Sequence, residues 1–163
     1  MISTLQTLAD STLQEWMLKL HDTAFSAQPL PSILLNQRGR IAGAALLQKN
    51  IIKLHPKLFA QNQAYFISDV IPHELAHLVV FNHFGRVRPH GQQWRYVMEE
   101  ILGVEAKVTH KLDVERAGVK LFDYYCECGL IKLSATRHKR VQSQKQRYIC
   151  RNCKSALKPH AAL

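Results

Sequence analysis

The sequence predicts an α+β protein in two parts: helices packed with a small, antiparallel sheet, followed by a small module built around cysteines. Three observations carry this. Residues 3–26 and 62–102 repeat apolar side chains at helical spacing. Residues 33–54 hold three short apolar runs separated by brief turns. Residues 124–163 gather all four cysteines and almost all of the excess positive charge.

In residues 3–26, Leu5, Leu8, Leu13, Trp16, Met17 and Leu20 recur at three- to five-residue steps, the pattern of a helix that buries one face. Pro29 and Pro31 end it, because the residue before a proline is disfavoured in the helical region. Ile33-Leu34-Leu35 opens a strand, residues 36–40 turn the chain around Gly39, and residues 41–47 form a second strand. Gly43 and the alanines at 42, 44 and 45 keep that strand slim, so another element can approach it closely. Lys49-Asn50 turns the chain again, and residues 51–54 give a third strand that His55-Pro56 stops. Connections this brief suit antiparallel neighbours rather than crossovers. His55 reads as a structural histidine at a strand end.

Residues 62–84 form the central helix. Pro72 falls inside it, where a proline costs about 3 kcal/mol and kinks the chain. Phe66, Ile67, Val70 and Ile71 already follow the helical repeat, so a bend is expected there rather than a fresh start. Next comes His73-Glu74-Leu75-Ala76-His77, of the form H-E-x-x-H. Residues four apart share one face of a helix. Two imidazoles so placed reach one Zn²⁺ at about 2.0–2.1 Å, with the intervening Glu close to the metal's water.

The pattern also occurs by chance, so a second signal matters. After Gly85, in Pro89-His90-Gly91-Gln92-Gln93-Trp94, His90 follows His77 with twelve residues between them. It directly precedes another core helix over 92–102 (Trp94, Val97, Met98, Ile101), with Gly103 as its cap. A catalytic zinc takes three protein ligands and keeps one open position. His73, His77 and His90 fill that set, with Glu74 as general base. His83 reads as structural or exposed. His110 lies in the segment that follows, and nothing in its spacing gives it a part at the metal.

The 163 residues carry 47% hydrophobic residues and a net charge of +10. This suits a globular chain with a principal domain and an appendage. No run approaches the ~18 apolar residues of a membrane span, and the first residues lack the basic and apolar regions of a signal peptide. A cytoplasmic protein with no membrane partner is expected, in which cysteines serve as metal ligands or free thiols rather than disulfides. Three segments follow: a domain over 1–104, a connector of mixed charge over 105–123 with strand near 104–109 and 119–122, and a basic module over 124–163. The last holds nine Lys/Arg and one acidic residue, Glu127. A basic module beside a nearly balanced one points to nucleic acid, single-stranded or damaged DNA first.

Twenty-one residues separate Cys126-x-Cys128 from Cys150-x-x-Cys153. Two such pairs resemble a zinc ribbon, with a structural zinc held by Cys126, Cys128, Cys150 and Cys153. The first pair is one residue tighter than the usual knuckle, so free thiols or a site borrowing His138 stay open. Four thiolates on Zn²⁺ would trim the module's charge from +8 to about +6. Tyr124, Tyr125 and Tyr148 either stack on bases or supply the ribbon's scant core.

The Val70–Leu78 run, the Phe84-Gly85-Arg86-Val87-x-Pro89-His90-Gly91-x-x-Trp94 run and the cysteine tail resemble the bacterial SprT proteins and, more distantly, the Spartan metalloproteases. Gln37-Arg38-Gly39, Ala42-Gly43 and Ile52-Lys53-Leu54-His55-Pro56 fit the same family. The resemblance implies a zincin-like domain that hydrolyses protein substrates, with His73, His77 and His90 on a catalytic zinc and Glu74 as catalytic base. Among Spartan-type relatives it also implies cleavage of proteins crosslinked to DNA. The rival from another class is a non-enzymatic, zinc-containing nucleic-acid-binding or regulatory protein. Metal storage fits less well, because a fixed Glu between two ligands serves no storage purpose.

Overall fold

Helix α1 (Ile2–Leu18) buries Leu5, Ala9, Thr12 and Leu13 along one face, as its apolar repeat requires. It stops before residue 26. Residues 19–27 run on as turns, with Lys19 N–H returning to Trp16 O and Leu20 N–H to Met17 O. Leu20 and Phe25 still reach the core from these turns. The computed structural model describes residues 2–109, 112, 118 and 120–159 of this α+β chain. It divides into two units, Met1–Asp113 and Val114–Leu163.

The first unit's sheet holds β1 (Ser32–Leu34), β2 (Gly43–Leu46) and β3 (Ile51–Leu54) in the order β1-β3-β2. The expected all-antiparallel sheet is corrected here: β2 pairs antiparallel with β3, but β1 pairs parallel with it. Brief connections constrain only strands that follow one another. The path from β1 to β3 makes its excursion through β2, long enough to return in the same direction. Ile33 lies opposite Ile52, and Ile52 and Leu54 are fully buried. β2 is shorter than the run 41–47 because residues 47–49 form a 3₁₀ turn ending at Asn50, whose φ is +51°.

His55 is structural. It is buried, its N–H donates to Ala42 O at 2.8 Å, and its Nδ1 accepts from Leu58 N–H at 3.3 Å. That acceptor caps α2 (Pro56–Gln61), with Pro56 at the helix start where a missing N–H costs nothing.

After α3 (Gln63–Tyr65), residues Phe66–Val70 make a π turn that leads into α4 (Ile71–Phe84). In the π ladder Ile71 N–H bonds Phe66 O, so the next bond would run from residue 72 to Ile67 O. Pro72 has no N–H. The Trp16 indole takes its place, donating to Ile67 O at 2.9 Å. The chain thus stays helical through the proline by widening one turn and borrowing a donor from α1. A second π turn, Val97–Ile101, extends α5 (Gln92–Tyr96). Gly103 ends it at φ +70°, turning Val104 N–H back to Met98 O at 2.8 Å. The expected strand over 104–109 is absent; Lys107 there pairs with Asp69 at 3.7 Å and Glu105 at 2.9 Å. His110 and Val119 lie outside the described residues.

The second unit is a sheet of β4 (Leu121–Cys126), β5 (Gly129–Ser134) and β6 (Lys158–Pro159) in the order β5-β4-β6, all antiparallel. Its first strand therefore begins inside the stretch read as connector. Between β5 and β6 lies α6 (Ala135–Gln142), capped by the Ser134 hydroxyl accepting from Arg137 N–H. His138 of α6 stacks on Phe122 at 3.7 Å between ring centres and meets the Tyr124 hydroxyl at 3.1 Å. Tyr124 is fully buried, whereas Tyr125 is 42% exposed, so the two adjacent tyrosines divide between core and surface. Among the described residues no helix is long and apolar enough to cross a membrane.

Candidate metal centre

The first two turns of α4 place His73 and His77 on one face, and the loop after Phe84 returns His90 to them. The three Nε2 atoms lie 3.3 Å (His73–His77), 3.1 Å (His77–His90) and 3.1 Å (His73–His90) apart. Three nitrogens held tetrahedrally about 2.05 Å from one Zn²⁺ would be roughly 3.3 Å apart. The residues present fit that ion. Burial, with His90 beside it, lowers His77 to about 4; burial, with Arg95 nearby, also lowers His90. Both shifts favour the neutral imidazole, the form whose lone pair a metal needs.

His90 has φ +54°, a left-handed backbone that few non-glycine residues adopt. Arg88 O accepts from Gly91 N–H at 3.0 Å and would lie only 2.9 Å from a Cβ at position 91. The tight turn thus explains Gly91, and the strain at residue 90 is held where a side chain is aimed at a site. Trp94, one turn on, is 1% exposed and forms the floor. Its ring centre lies 4.8 Å from His73, 5.5 Å from His77 and 4.7 Å from His90. Its indole N–H donates to His73 O at 3.3 Å.

Glu74 is 5% exposed, and burial pushes its carboxyl up to about 7; the backbone N–H of Ala45 partly offsets this. The close approach predicted for the slim strand is realised against this side chain. A Cβ at Gly43 would sit 2.9 Å from Glu74 Cγ and 3.0 Å from Oε1. Strand β2 thus seats the carboxylate from below. A carboxyl titrating near neutrality is suited to exchanging protons with substrate and solvent.

In the second unit the sulfurs of Cys126, Cys128, Cys150 and Cys153 all lie within 4.8 Å of one another. The tight first pair has a geometric origin. Cys126 ends β4, Cys128 lies in the two-residue hairpin turn, and Gly129 follows at φ +130°. Cys126 and Cys128 sulfurs are 3.2 Å apart, and Cys128 and Cys150 sulfurs 3.6 Å. The contact with Cys128 pushes Cys126 up to about 12, while the Ser155 hydroxyl and backbone N–H draw Cys153 down to about 6. Backbone N–H groups of Cys153 and Asn152 likewise lower Cys150. Such a soft donor set, with Cys150 and Cys153 both drawn toward the thiolate, suits zinc. His138, held by Phe122 and Tyr124, is not among the four.

A family model described as the SprT-like family matches residues 13–110. The chain belongs to the SprT-like family. It is 46% identical to Protein SprT of Vibrio parahaemolyticus over 129 residues, 79% of this chain and 78% of that one. With Protein SprT of Proteus mirabilis the identity is 44% over 147 residues, covering 90% and 88%. With that of Serratia proteamaculans it is 46% over 142 residues, covering 86% and 84%. No solved structure matches. The SprT-like match contains all three histidines and Glu74, and ends before the four cysteines. It also contains Gly43, Ala45 and Trp94, whose parts at the site are not legible from spacing alone. The sequence signal for Trp94 is its place in the apolar repeat of the helix over 92–102, shortly after His90.

Proposed function

We propose that this chain is a zinc metallopeptidase with a zincin-like catalytic unit, acting on proteins bound or crosslinked to DNA. The observation that carries the reading is the convergence of three imidazoles, their Nε2 atoms 3.1–3.3 Å apart, with a buried carboxyl on the helix that bears two of them. His73, His77 and His90 would hold the zinc. When bound, zinc supplies Lewis-acid chemistry, acidifying a water and polarising a peptide carbonyl. Glu74 takes the attacking water's proton and passes it to the leaving amine, held toward the site by Ala45 N–H. Trp94 keeps water from the underside of the imidazoles and fixes the helix turn that carries His73.

The DNA part of the reading is supported by the second unit. Arg137, Lys139 and Arg140 are exposed on α6, and Tyr125 is exposed on β4. Cys126, Cys128, Cys150 and Cys153 would hold a second, structural zinc. A basic module tethered to a peptidase raises the effective concentration of any protein attached to the same DNA. The chain's place in this reading is the cytoplasm.

The test is proteolysis of a DNA-binding protein by zinc-loaded wild type and Glu74→Gln, each with and without single-stranded DNA. Cleavage by wild type alone, faster with DNA, is expected. Equal cleavage by both proteins would remove Glu74 from the chemistry. Cleavage indifferent to DNA would keep the peptidase and drop the DNA-linked substrate.

A further inference from the structure

Among the described residues the sheet ends on β2, with no strand beyond it. From the end of β2 a groove of about 590 Å³ runs between Ala45, Leu46 and the 3₁₀ turn of residues 47–49 on one wall and Arg86, Val87 and Pro89 on the other. A smaller cavity bounded by Leu47, Arg86, Val87 and Pro89 continues it to His77, His90 and Trp94. One continuous channel therefore leads from the imidazoles past Leu47 to the end of β2.

Its chemistry is one-sided. Leu46, Leu47, Val87 and Pro89 give apolar walls, and Lys49 and Arg86 stand exposed at the rim, with Arg88 at the metal end. No carboxylate lines either cavity. The Ala45 N–H at this end of β2 is already taken by Glu74, so an occupant is held by its side chains, and an extended segment presents alternate side chains to one wall. Apolar walls below a cationic rim suit a side chain with a short methylene stem and an anionic head.

We propose that the β2 groove binds an extended polypeptide segment carrying Asp or Glu side chains, selected by Lys49 and Arg86. This deepens the peptidase reading and rests on it for the consequence that acidic residues flank the cleaved bond. Nucleic acid is the disfavoured occupant of this groove, because its walls are mostly aliphatic side chains rather than an open cationic track. Rim charges of this kind act mainly on partner choice, and their effect shrinks with salt.

The test measures binding rather than turnover, using the full chain as its zinc-loaded Glu74→Gln variant. Three fluorescein-labelled dodecapeptides share one Ala/Leu/Gln scaffold and carry two Glu, two Gln or two Lys. Fluorescence anisotropy is expected to rank Glu over Gln over Lys, roughly fivefold per step at low salt, as for exposed charge pairs. Lys49→Glu with Arg86→Glu should invert the ranking, and Lys49→Gln with Arg86→Gln should flatten it. Both residues are exposed, and the melting temperature of each variant checks the fold. Equal binding of the three peptides, or a ranking that survives charge reversal, would overturn the proposal. So would reversal that weakens a labelled oligothymidine and leaves the peptides untouched. Wild-type cleavage with no ranking sinks this inference alone; ranking without wild-type cleavage sinks the peptidase reading and keeps the groove.

Discussion

The backbone N–H of Ala45 reaches the carboxylate of Glu74, which joins an edge strand to the helix that bears the candidate ligands. Two residues earlier, Gly43 leaves the space that lets this happen. Gly43→Ala puts a methyl 2.9 Å from Glu74 Cγ, and either the strand or the carboxylate must move. Peptidase turnover should fall on the order of 100-fold, the usual cost of misplacing a reacting group by about 1 Å. Zinc content should not change, since no candidate ligand is touched. Metal analysis alongside kcat checks this; loss of zinc in step with activity would mean that β2 supports the whole site and not Glu74.

The indole of Trp16 and the ring of Pro72 compensate one another through Ile67 O. Trp16→Phe removes the donor and should cost about 1 kcal/mol in urea unfolding. Pro72→Ala restores an N–H to the helix, so Trp16→Phe should cost less in that background. A coupling near zero in the four-protein cycle would show that the two positions act independently.

The second unit has little to hold it together besides its sulfurs. Among its described residues only Tyr124, Leu133 and Cys150 are buried. So small a core rarely sustains a domain without a metal or crosslink. Chelation, or Cys153→Ser, should abolish amide-exchange protection of Tyr124 and Leu133 while Ile52 and Leu54 in the first unit stay protected. Protection retained in β4 after chelation would remove the structural role of the cysteines.

His55 gives the first unit an acid sensitivity. Its burial, with Lys57 nearby, lowers it from 6.5 in the folded chain. As pH falls the unfolded chain takes up this proton first, so stability is intact above about 6.5 and declines below it. Thermal melts of the zinc-loaded protein should show that decline, and His55→Asn, which keeps a capping acceptor, should flatten it. Parallel slopes for the two proteins would place the acid sensitivity elsewhere.

The parts of this molecule legible in its sequence are those set by local spacing. His73 and His77 share a face because helices repeat every 3.6 residues, and Gly103 ends a helix because its backbone turns left-handed. The slim stretch around Gly43 announces a close neighbour but cannot name Glu74. The parallel pairing of β1 with β3 depends on which strand takes the centre, a tertiary choice that no turn residue records. Helix α6 is hidden for a different reason: Ala-Thr-Arg-His-Lys-Arg-Val-Gln has no apolar stripe, and His138 on Phe122 and Arg137 over Tyr148 anchor it instead. The tight Cys126-x-Cys128 spacing leaves free thiols open in the sequence, because only the hairpin turn, a feature of strand pairing, brings both sulfurs together.

The π turn before Pro72 also makes this helix tolerant of length at one place and intolerant of it at the next. Such a turn holds one residue more than a regular helix would, whereas in regular helix each residue advances the chain by about 100°. Deleting one amino acid from Phe66–Val70 would let the ordinary ladder close and leave His73 and His77 facing His90. Deleting one between His73 and His77 would turn the two imidazoles about a quarter-turn apart. Over evolutionary time the π turn can lose or regain a codon, while the stretch from His73 to His77 cannot.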